Sequence, residues 1–239
     1  MASASGGQLP LNIRPRDDAT FDNYIVQARV QAVHLAVGGS LERLLFMHGP
    51  GDGGKSHLLQ AACHACDGVA LYLPLTAVAD MAPAALLDGV EHSALICLDD
   101  LQSVAGDHDW ERALFNLYNA VQMAGSRLLI AANAPPASLS IAMPDLRSRL
   151  ASMLVYSVPA PGDEERQEIL IGRARRRGLA MPKGVARYIG HRAGRSMGEL
   201  MVVLEELDRA SLTYQRALSV PFVRQVMGWQ GQGKGDQVP

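Results

Sequence analysis

The pattern G-x-x-x-x-G-K-S is present at residues 49–56, where the chain reads Gly49-Pro50-Gly51-Asp52-Gly53-Gly54-Lys55-Ser56. A short apolar run at 44–47 precedes it and predicts a buried strand, and residues 57–63 have the composition of a helix. A glycine loop between a strand and a helix is the setting in which this pattern binds phosphate. The alternative, a glycine-rich turn with a chance lysine, explains neither the GKS ending nor the flanking elements.

The residue types of this loop indicate which contacts it makes. Glycines let several backbone N–H groups converge on one phosphate, and the helix that follows adds unpaired amides and the positive end of its dipole. Lys55 is expected to reach the β- and γ-phosphates, and the Ser56 hydroxyl to bind Mg²⁺. We include His57, in the first turn of that helix, among the nucleotide-binding residues. The sequence predicts ADP or ATP as the ligand, together with Mg²⁺, and leaves the choice of nucleotide open.

Polar residues follow two further apolar runs, at 94–98 and 127–132. Asp99 and Asp100 come after the first run, and Asn133 after the second. In a parallel sheet the carboxyl ends of the strands share one crevice, so we expect these residues to face the phosphate loop. Asp99 is predicted to hold Mg²⁺, Asp100 to polarise an attacking water, and Asn133 to orient that water or sense the γ-phosphate. The alternatives are solvent-facing acids at a strand end and a turn residue before Pro135.

Alternating strands and helices predict an α/β fold, a parallel sheet covered by helices. The strands are predicted at 44–47, 69–73, 94–98 and 127–133, with helices at 28–37, 76–87 (bent near Pro83) and 110–123. After residue 160 only helices are predicted, at 164–177, 183–192, 197–212 and 221–227, with Asp163 as the first N-cap and Gly178 as a stop. The predicted domains are a flexible leader (1–16), an α/β nucleotide-binding domain (17–160), a small all-helical domain (161–228) and a disordered tail (229–239).

Composition excludes several classes of protein. The chain has 239 residues, 48% of them apolar and 19% charged, with a formal net charge of −2. It shows no apolar stretch long enough to span a bilayer and no signal peptide, and its three cysteines suit a reducing cytosol, so we expect a cytoplasmic protein. Cys63 and Cys66 have metal-like spacing, but a structural zinc site needs four ligands and no second pair is evident, so both are interpreted as ordinary residues of the helix after the glycine loop. Cys97, inside an apolar run, is expected in the core.

Two further segments allow two interpretations each. The leader contains Gln8-Leu9-Pro10-Leu11-Asn12-Ile13, either a short strand packed on the domain or a linear peptide that docks in another protein's groove. The segment 145–150 carries Arg147 and Arg149 on a short predicted helix. One of these arginines can serve as an arginine finger for a neighbouring subunit's nucleotide; alternatively, both are surface arginines.

These motifs together resemble the DnaA-related AAA+ ATPases, and most closely the Hda group, the regulatory inactivators of DnaA. The resemblance covers roughly residues 8 to 228 and rests on the quoted segments GPGDGGKSHLLQAACH, LICLDDLQSVAG, AANAPP, DLRSRL and ELDRASLTYQRALSVPFVRQVM. It implies an AAA+ domain followed by a helical lid domain. The chain ends about where the lid ends and has only a short leader, which favours Hda over DnaA.

The resemblance also implies a function, negative regulation of replication initiation. Nucleotide-bound Hda, with the DNA-loaded sliding clamp of DNA polymerase III, stimulates hydrolysis of the ATP held by DnaA, and has weak or no turnover of its own. By match to the SRL element, Arg149 is the finger acting in trans. By match to the clamp-binding peptide, Gln8, Leu9, Leu11 and Ile13 enter the clamp groove. A homo-oligomer and a place at the replisome or nucleoid are compatible with this, whereas strong direct DNA binding is not expected.

Two departures from the family pattern concern nucleotide contacts. Gly198 stands where the sensor-2 arginine of the lid is expected, and Arg195, one helical turn earlier, is the predicted substitute. The segment 27–29 replaces the usual Gly-x-Asn, so only residues 21–25 are placed near the adenine. Two other functions remain open: a DnaA-like loader or recruiter that binds single-stranded DNA, and an autonomous ATPase with another client. Salt-dependent DNA binding would favour the first, and turnover by the isolated protein the second.

Overall fold

The chain divides into two compact units, with the division between Val158 and Pro159. The computed structural model describes residues 15–39, 41–194 and 196–229. The predicted domain boundary, after residue 160, lies two residues beyond this division. Most of the predicted leader, and the tail beyond Trp229, fall outside the described residues.

The first unit is a five-stranded parallel sheet with helices on both faces, which confirms the predicted α/β architecture. The strands are ordered β2-β3-β4-β1-β5. Their bounds are β1 Leu44–His48, β2 Ala70–Pro74, β3 Leu95–Asp99, β4 Arg127–Ala132 and β5 Leu154–Ser157, and the helices are α1 Gln31–Gly38, α2 Lys55–His64, α3 Pro83–Leu87, α4 His108–Ala124 and α5 Pro144–Ala151. Because β1 pairs with β4 on one side and β5 on the other, the phosphate loop emerges beside the carboxyl end of β4.

Alternate residues of the central strands belong to two separate apolar cores, as expected for a sheet covered on both faces. Phe46, Ile96 and Ile130 pack in one core with Trp110 and other residues of α4. Leu45, Cys97 and Leu129 are among those that pack in the other, with residues of α1 and α2. The prediction that Cys97 lies in the core is confirmed, since its side chain is fully buried.

Several predicted elements differ from those observed. The edge strand β5 was not predicted; it is only four residues long, and three of those residues are exposed. The predicted helix at 76–87 is wrong over most of its length: a single 3-10 turn at Leu75–Ala77 is followed by the five-residue α3, which begins at a proline. Cys66 was expected in α2, but that helix ends at His64.

The second unit is a four-helix domain, as the sequence predicts. Its helices are α6 Asp163–Arg176, α7 Lys183–Arg192, α8 Met197–Tyr214 and α9 Val220–Met227. They enclose one core that includes Leu170, Ile189, Leu204 and Phe222. The predicted N-cap Asp163 is wrong: Gly162 is the N-cap, and the Glu165 carboxylate accepts a hydrogen bond from its backbone N–H. No helix in either described unit is long and apolar enough to cross a membrane.

Candidate functional site

The loop at 49–54 is shaped by close backbone contacts that only glycine permits. Gly49 has φ +145°, and a Cβ placed there would lie 2.2 Å from the carbonyl oxygen of Val158. Gly54, with φ +91°, is the N-cap of α2, and its Cβ would lie 2.9 Å from the ring of Tyr24. The backbone therefore curls tightly between β1 and α2 and delivers the first turn of α2 to the crevice, as a phosphate loop requires.

Lys55 opens α2 and is held against the loop. Its Nζ donates hydrogen bonds to the carbonyl oxygens of Gly49 (2.6 Å) and Pro50 (2.8 Å), and the residue is only 4% exposed. Burial lowers the pKa of Lys55, while the negative charges of Asp99, Asp100 and Asp52 act in the opposite direction. The positive charge of Lys55 therefore lies close enough to the acids at the end of β3 to interact with them electrostatically. This arrangement is expected where a phosphate binds beside a cation.

Asp99 ends β3 as a buried carboxylate with specific hydrogen-bond donors. It is 2% exposed; the Tyr72 hydroxyl donates to its Oδ2 (2.8 Å), and the Asp100 amide donates to its Oδ1 (3.0 Å). Burial raises the pKa of Asp99, although hydrogen bonds from Ser56 and Tyr72 oppose that rise. The Ser56 hydroxyl thus lies close to Asp99, so the two predicted magnesium residues are neighbours.

A chain of buried polar groups behind Asp99 was not predicted from the sequence. The Gln60 side-chain amide donates to the Tyr72 hydroxyl (3.1 Å), and the Arg16 backbone N–H donates to the Gln60 carbonyl oxygen (2.9 Å). Gln60 is 7% exposed, and burial together with the Asp99 charge raises the pKa of Tyr72, so its hydroxyl stays protonated as a donor. The only sequence signal was a Gln on the buried face of a helix and a Tyr in a strand, both of which resemble ordinary core positions.

Asp100 and Asn133 are connected through Gln102. Asp100 adopts a left-handed backbone conformation (φ +56°), and its carboxylate accepts hydrogen bonds from Thr76 Oγ1 (3.4 Å) and Gln102 Nε2 (2.9 Å). The Gln102 carbonyl oxygen accepts from the Asn133 backbone N–H (3.0 Å). The Asn133 side chain is exposed. The two predicted polar residues therefore lie in one hydrogen-bonded group at the ends of β3 and β4.

An aromatic cluster borders the loop on its N-terminal side. The Tyr24 hydroxyl donates to the Gly53 carbonyl oxygen (3.4 Å), and its ring lies 5.6 Å from that of His34 and 5.3 Å from that of His57. Within the described residues, both amide atoms of Gln27 and Nε2 of His34 are buried without a hydrogen-bond partner. The contact of Tyr24 with Gly53 is compatible with the prediction that residues 21–25 lie near the nucleotide base, which stays a prediction. The sequence analysis did not include Gln27 or His34 in this cluster.

The two arginines of α5 are both exposed but make different contacts. The Arg147 guanidinium donates to the Ile141 carbonyl oxygen. The Arg149 guanidinium carbon lies 5.8 Å from the centroid of the Tyr118 ring. Arg149 forms no ion pair with any acid of the described residues, so its N–H donors remain free to bind an anion.

Comparison with known proteins relates this architecture to replication initiators. Residues 163–227 match the family model for the Hda lid domain. Domain III of the replication initiation protein DnaA from Thermotoga maritima is similar in fold, with a TM-score of 0.77 at 20% identity over 90% of this chain and 98% of that one. AMPPCP-bound DnaA from Aquifex aeolicus gives 0.66 at 21% identity over 78% of this chain and 63% of that one. RuvB from Thermotoga maritima gives 0.66 at 15% identity, over 88% and 72% respectively.

The helical domain of this chain is similar to the lid of Hda, and the chain has the fold of DnaA domain III. The relation to Hda comes from the match of the lid, and the solved structures show the shared fold. The nucleotide side of this site fits Mg²⁺, because the Ser56 hydroxyl lies beside the buried Asp99 carboxylate, and oxygen is the ligand that Mg²⁺ prefers. The described residues contain no cluster of three or more His, Cys, Asp or Glu that would hold a metal by side chains alone.

Several predicted site residues lie outside the described part of the chain. These are Arg195, the predicted substitute for the sensor-2 arginine, and Gln8, Leu9, Leu11 and Ile13, the predicted clamp-binding residues. Gly198 lies in the first turn of α8, where the nearest atom to an added Cβ would be Ser196 Oγ at 3.7 Å. The local backbone at Gly198 would therefore accept a side chain.

Proposed function

We propose that this protein is a negative regulator of replication initiation that stimulates hydrolysis of the ATP bound to DnaA. The observation that carries the proposal is the match of the helical domain, residues 163–227, to the Hda lid model. The fold that this chain shares with DnaA domain III is compatible with the proposal. Arg149 is exposed and forms no ion pair within the described residues. Its guanidinium is therefore the group that would act on the ATP bound to DnaA.

The nucleotide held by this chain has a structural role in the proposal. Lys55 and the loop amides would bind its phosphates, and Ser56 and Asp99 would hold Mg²⁺. Bound Mg²⁺ neutralises charge on the phosphate oxygens. We infer that ADP or ATP is bound and that its binding keeps the protein competent for its partner; Arg195 stays a predicted nucleotide contact.

Arg149 acts in trans in this mechanism. Its planar guanidinium presents several N–H donors, which would bind the oxygens of the transferred phosphoryl group on DnaA as negative charge develops there. An arginine supplied in this way accelerates hydrolysis by about 10³–10⁵-fold in the best-studied systems. Arg147 is the less suitable group because its guanidinium is bound to the Ile141 carbonyl oxygen.

The sliding clamp is the second partner in the proposal. Gln8 would enter the polar end of the clamp groove, and Leu9, Leu11 and Ile13 would occupy its apolar part. An extended peptide with alternate side chains in pockets is a common mode of recognition. Recruitment to clamps on DNA would place the protein in the bacterial cytoplasm near newly replicated DNA.

The test is hydrolysis of ATP pre-bound to DnaA, measured with this protein, ADP and DNA-loaded clamp present. We expect stimulation that depends on the clamp, and its loss in Arg149→Ala and in a double variant with Gln8→Ala and Leu11→Ala. Arg147→Ala is the matched control on the same helix and should retain most of the stimulation. Absence of stimulation by the intact protein would refute the proposal.

A second candidate, an autonomous ATPase, is favoured by one observation. The Asp100 carboxylate accepts hydrogen bonds from Thr76 and Gln102, and its negative charge acts to raise the pKa of Lys55. An acid fixed at this place is suited to polarise a water molecule. Turnover of ATP by the isolated protein that is lost in Asp100→Asn would establish this function. We expect little or no such turnover.

A further inference from the structure

The face of α4 that packs on α5 carries a buried tyrosine directly beside the proposed finger. Tyr118 is 2% exposed, and the Arg149 guanidinium carbon lies 5.8 Å from its ring centroid. A guanidinium at this distance is attracted to the negative face of the ring. The exposed arginine is therefore held to a rigid part of the core through its own side chain.

The Tyr118 ring is itself fixed by hydrogen bonds. Its hydroxyl lies 3.1 Å from Ser152 Oγ and accepts a hydrogen bond from Gln122 Nε2 (3.1 Å). Ser152 Oγ in turn donates to the Arg149 carbonyl oxygen (2.7 Å). Ser152 thus links the backbone of the finger residue to the hydroxyl of the same tyrosine that its guanidinium contacts.

The opposite end of α5 is anchored to the same helix. Glu111 is 1% exposed, and its carboxylate accepts from the backbone amides of Ala142 (2.8 Å) and Met143 (2.7 Å), which precede α5. Glu111 and Tyr118 are seven residues apart, about two turns, so they project from one face of α4. One face of α4 therefore holds both ends of the helix that carries Arg149.

We propose that Tyr118 is a positioning residue for Arg149. A cation–π contact restricts the side-chain rotamers of the arginine, yet it leaves the N–H donors at the edge of the guanidinium available for phosphate oxygens. A carboxylate partner would occupy those donors, and Arg149 has none among the described residues. This inference rests on the proposed role of Arg149 in trans.

The first test is spectroscopic and does not depend on activity. The δ-methylene protons of Arg149, assigned by their loss in Arg149→Lys, should be shifted upfield by the Tyr118 ring in the wild-type protein. The shift should persist in Tyr118→Phe, which keeps the ring, and disappear in Tyr118→Leu. Unshifted signals in the wild type would overturn the proposal, whether or not any variant folds.

The second test separates positioning from partner binding. At increasing concentrations of this protein, with ATP-loaded DnaA and DNA-loaded clamp, Tyr118→Leu should lower the maximal hydrolysis rate about five- to tenfold and leave the half-saturating concentration within twofold. Tyr118→Phe should stay within about twofold of the wild type on both measures. Weakened half-saturation in Tyr118→Leu with a normal maximal rate would show a merely structural role and overturn the proposal.

The two proposals fail in different ways. If Arg149→Ala stimulates hydrolysis of DnaA-bound ATP as well as the wild type does, the proposed role of Arg149 is refuted. The inference about Tyr118 is then refuted as well. If Arg149→Ala is inactive but Tyr118→Leu is fully active and folded, only the positioning role is refuted.

Discussion

The hydroxyl of Tyr72 donates a 2.8 Å hydrogen bond to Oδ2 of Asp99, joining the middle of β2 to the acid at the end of β3. Tyr72 receives a hydrogen bond from Gln60 at the same oxygen, so its own proton is directed to Asp99. The second Asp99 oxygen accepts from the Asp100 amide. The orientation of the buried carboxylate is therefore fixed by the protein itself, before any ligand binds.

Replacing Tyr72 by Phe tests this arrangement. Tyr72→Phe removes one donor from a buried carboxylate, and hydrogen bonds to charged groups contribute about 1.5–3 kcal/mol. We expect Mg²⁺-dependent nucleotide affinity to fall about tenfold, and affinity without Mg²⁺ to change much less. Nucleotide titrations with and without Mg²⁺ measure both, with Tyr156→Phe on the edge strand β5 as the control. An equal loss with and without Mg²⁺ would show that the hydroxyl does not act through Asp99.

The phosphate loop offers a matched pair of glycine variants. In Gly49→Ala the new Cβ would lie 2.2 Å from the Val158 carbonyl oxygen, at a φ of +145° that side chains rarely adopt. We expect a loss of stability of about 2–4 kcal/mol and no measurable nucleotide binding. In Gly51→Ala no atom lies within 4 Å of the added methyl group, so stability should change by less than about 1 kcal/mol. Thermal unfolding and nucleotide titration of the two variants decide the point, and a stable, nucleotide-binding Gly49→Ala would contradict the described loop.

Glu111 is expected to be a strong determinant of stability. Its carboxylate accepts hydrogen bonds from the backbone amides of Gly106, Ala142 and Met143, and Glu111→Ala leaves these groups without an acceptor. At about 1–3 kcal/mol for each unsatisfied buried group, we expect a loss of at least about 3 kcal/mol.

The control for Glu111 lies on the same helix. Asp109 is exposed and paired with Arg112, so Asp109→Ala should cost less than about 1 kcal/mol. Chemical denaturation of both variants gives the comparison. Similar losses of stability would show that the three amide contacts of Glu111 do not stabilise the fold.

A pH dependence follows from His34. Burial lowers the pKa of this imidazole below its ordinary value of 6.5. Between the lowered pKa and 6.5 the unfolded chain binds more protons than the folded chain, so the free energy of unfolding decreases as the pH falls through that window. His34→Phe should flatten this part of the profile and leave the slope above pH 7.5 unchanged. Denaturant unfolding from pH 5 to 8 measures it, and an unaltered slope in the variant would contradict the assignment.

Elements with a clear sequence pattern were predicted correctly, and elements without one were not. Apolar runs and the glycine loop placed four strands, and the acids at the end of β3 were expected beside the phosphate loop. The edge strand β5 was missed because the apolar run at 153–156 is too short for its periodicity to distinguish a strand from the end of a helix. The helix predicted at 76–87 is not continuous, because a proline inside a helix removes a backbone hydrogen bond and clashes with the preceding turn, so α3 starts at Pro83.

The supporting residues of the site leave no signal of their own. In the sequence these residues look like ordinary core aromatic residues or ordinary polar residues on a helix surface. They are Tyr72, Gln60, Glu111 and Tyr118. Their roles arise from contacts between elements that are distant in sequence, such as the 27 residues that separate Tyr72 from Asp99. Only the packed structure shows which donors and acceptors meet.

The most direct measurement of the central claim is single-turnover hydrolysis of ATP preloaded on DnaA, with DNA-loaded clamp and either the wild-type protein, Arg149→Ala or Arg147→Ala. We expect wild type and Arg147→Ala to accelerate hydrolysis, and Arg149→Ala to lose at least about 10²-fold of that acceleration while it still binds nucleotide. Equal acceleration by wild type and Arg149→Ala would contradict the account.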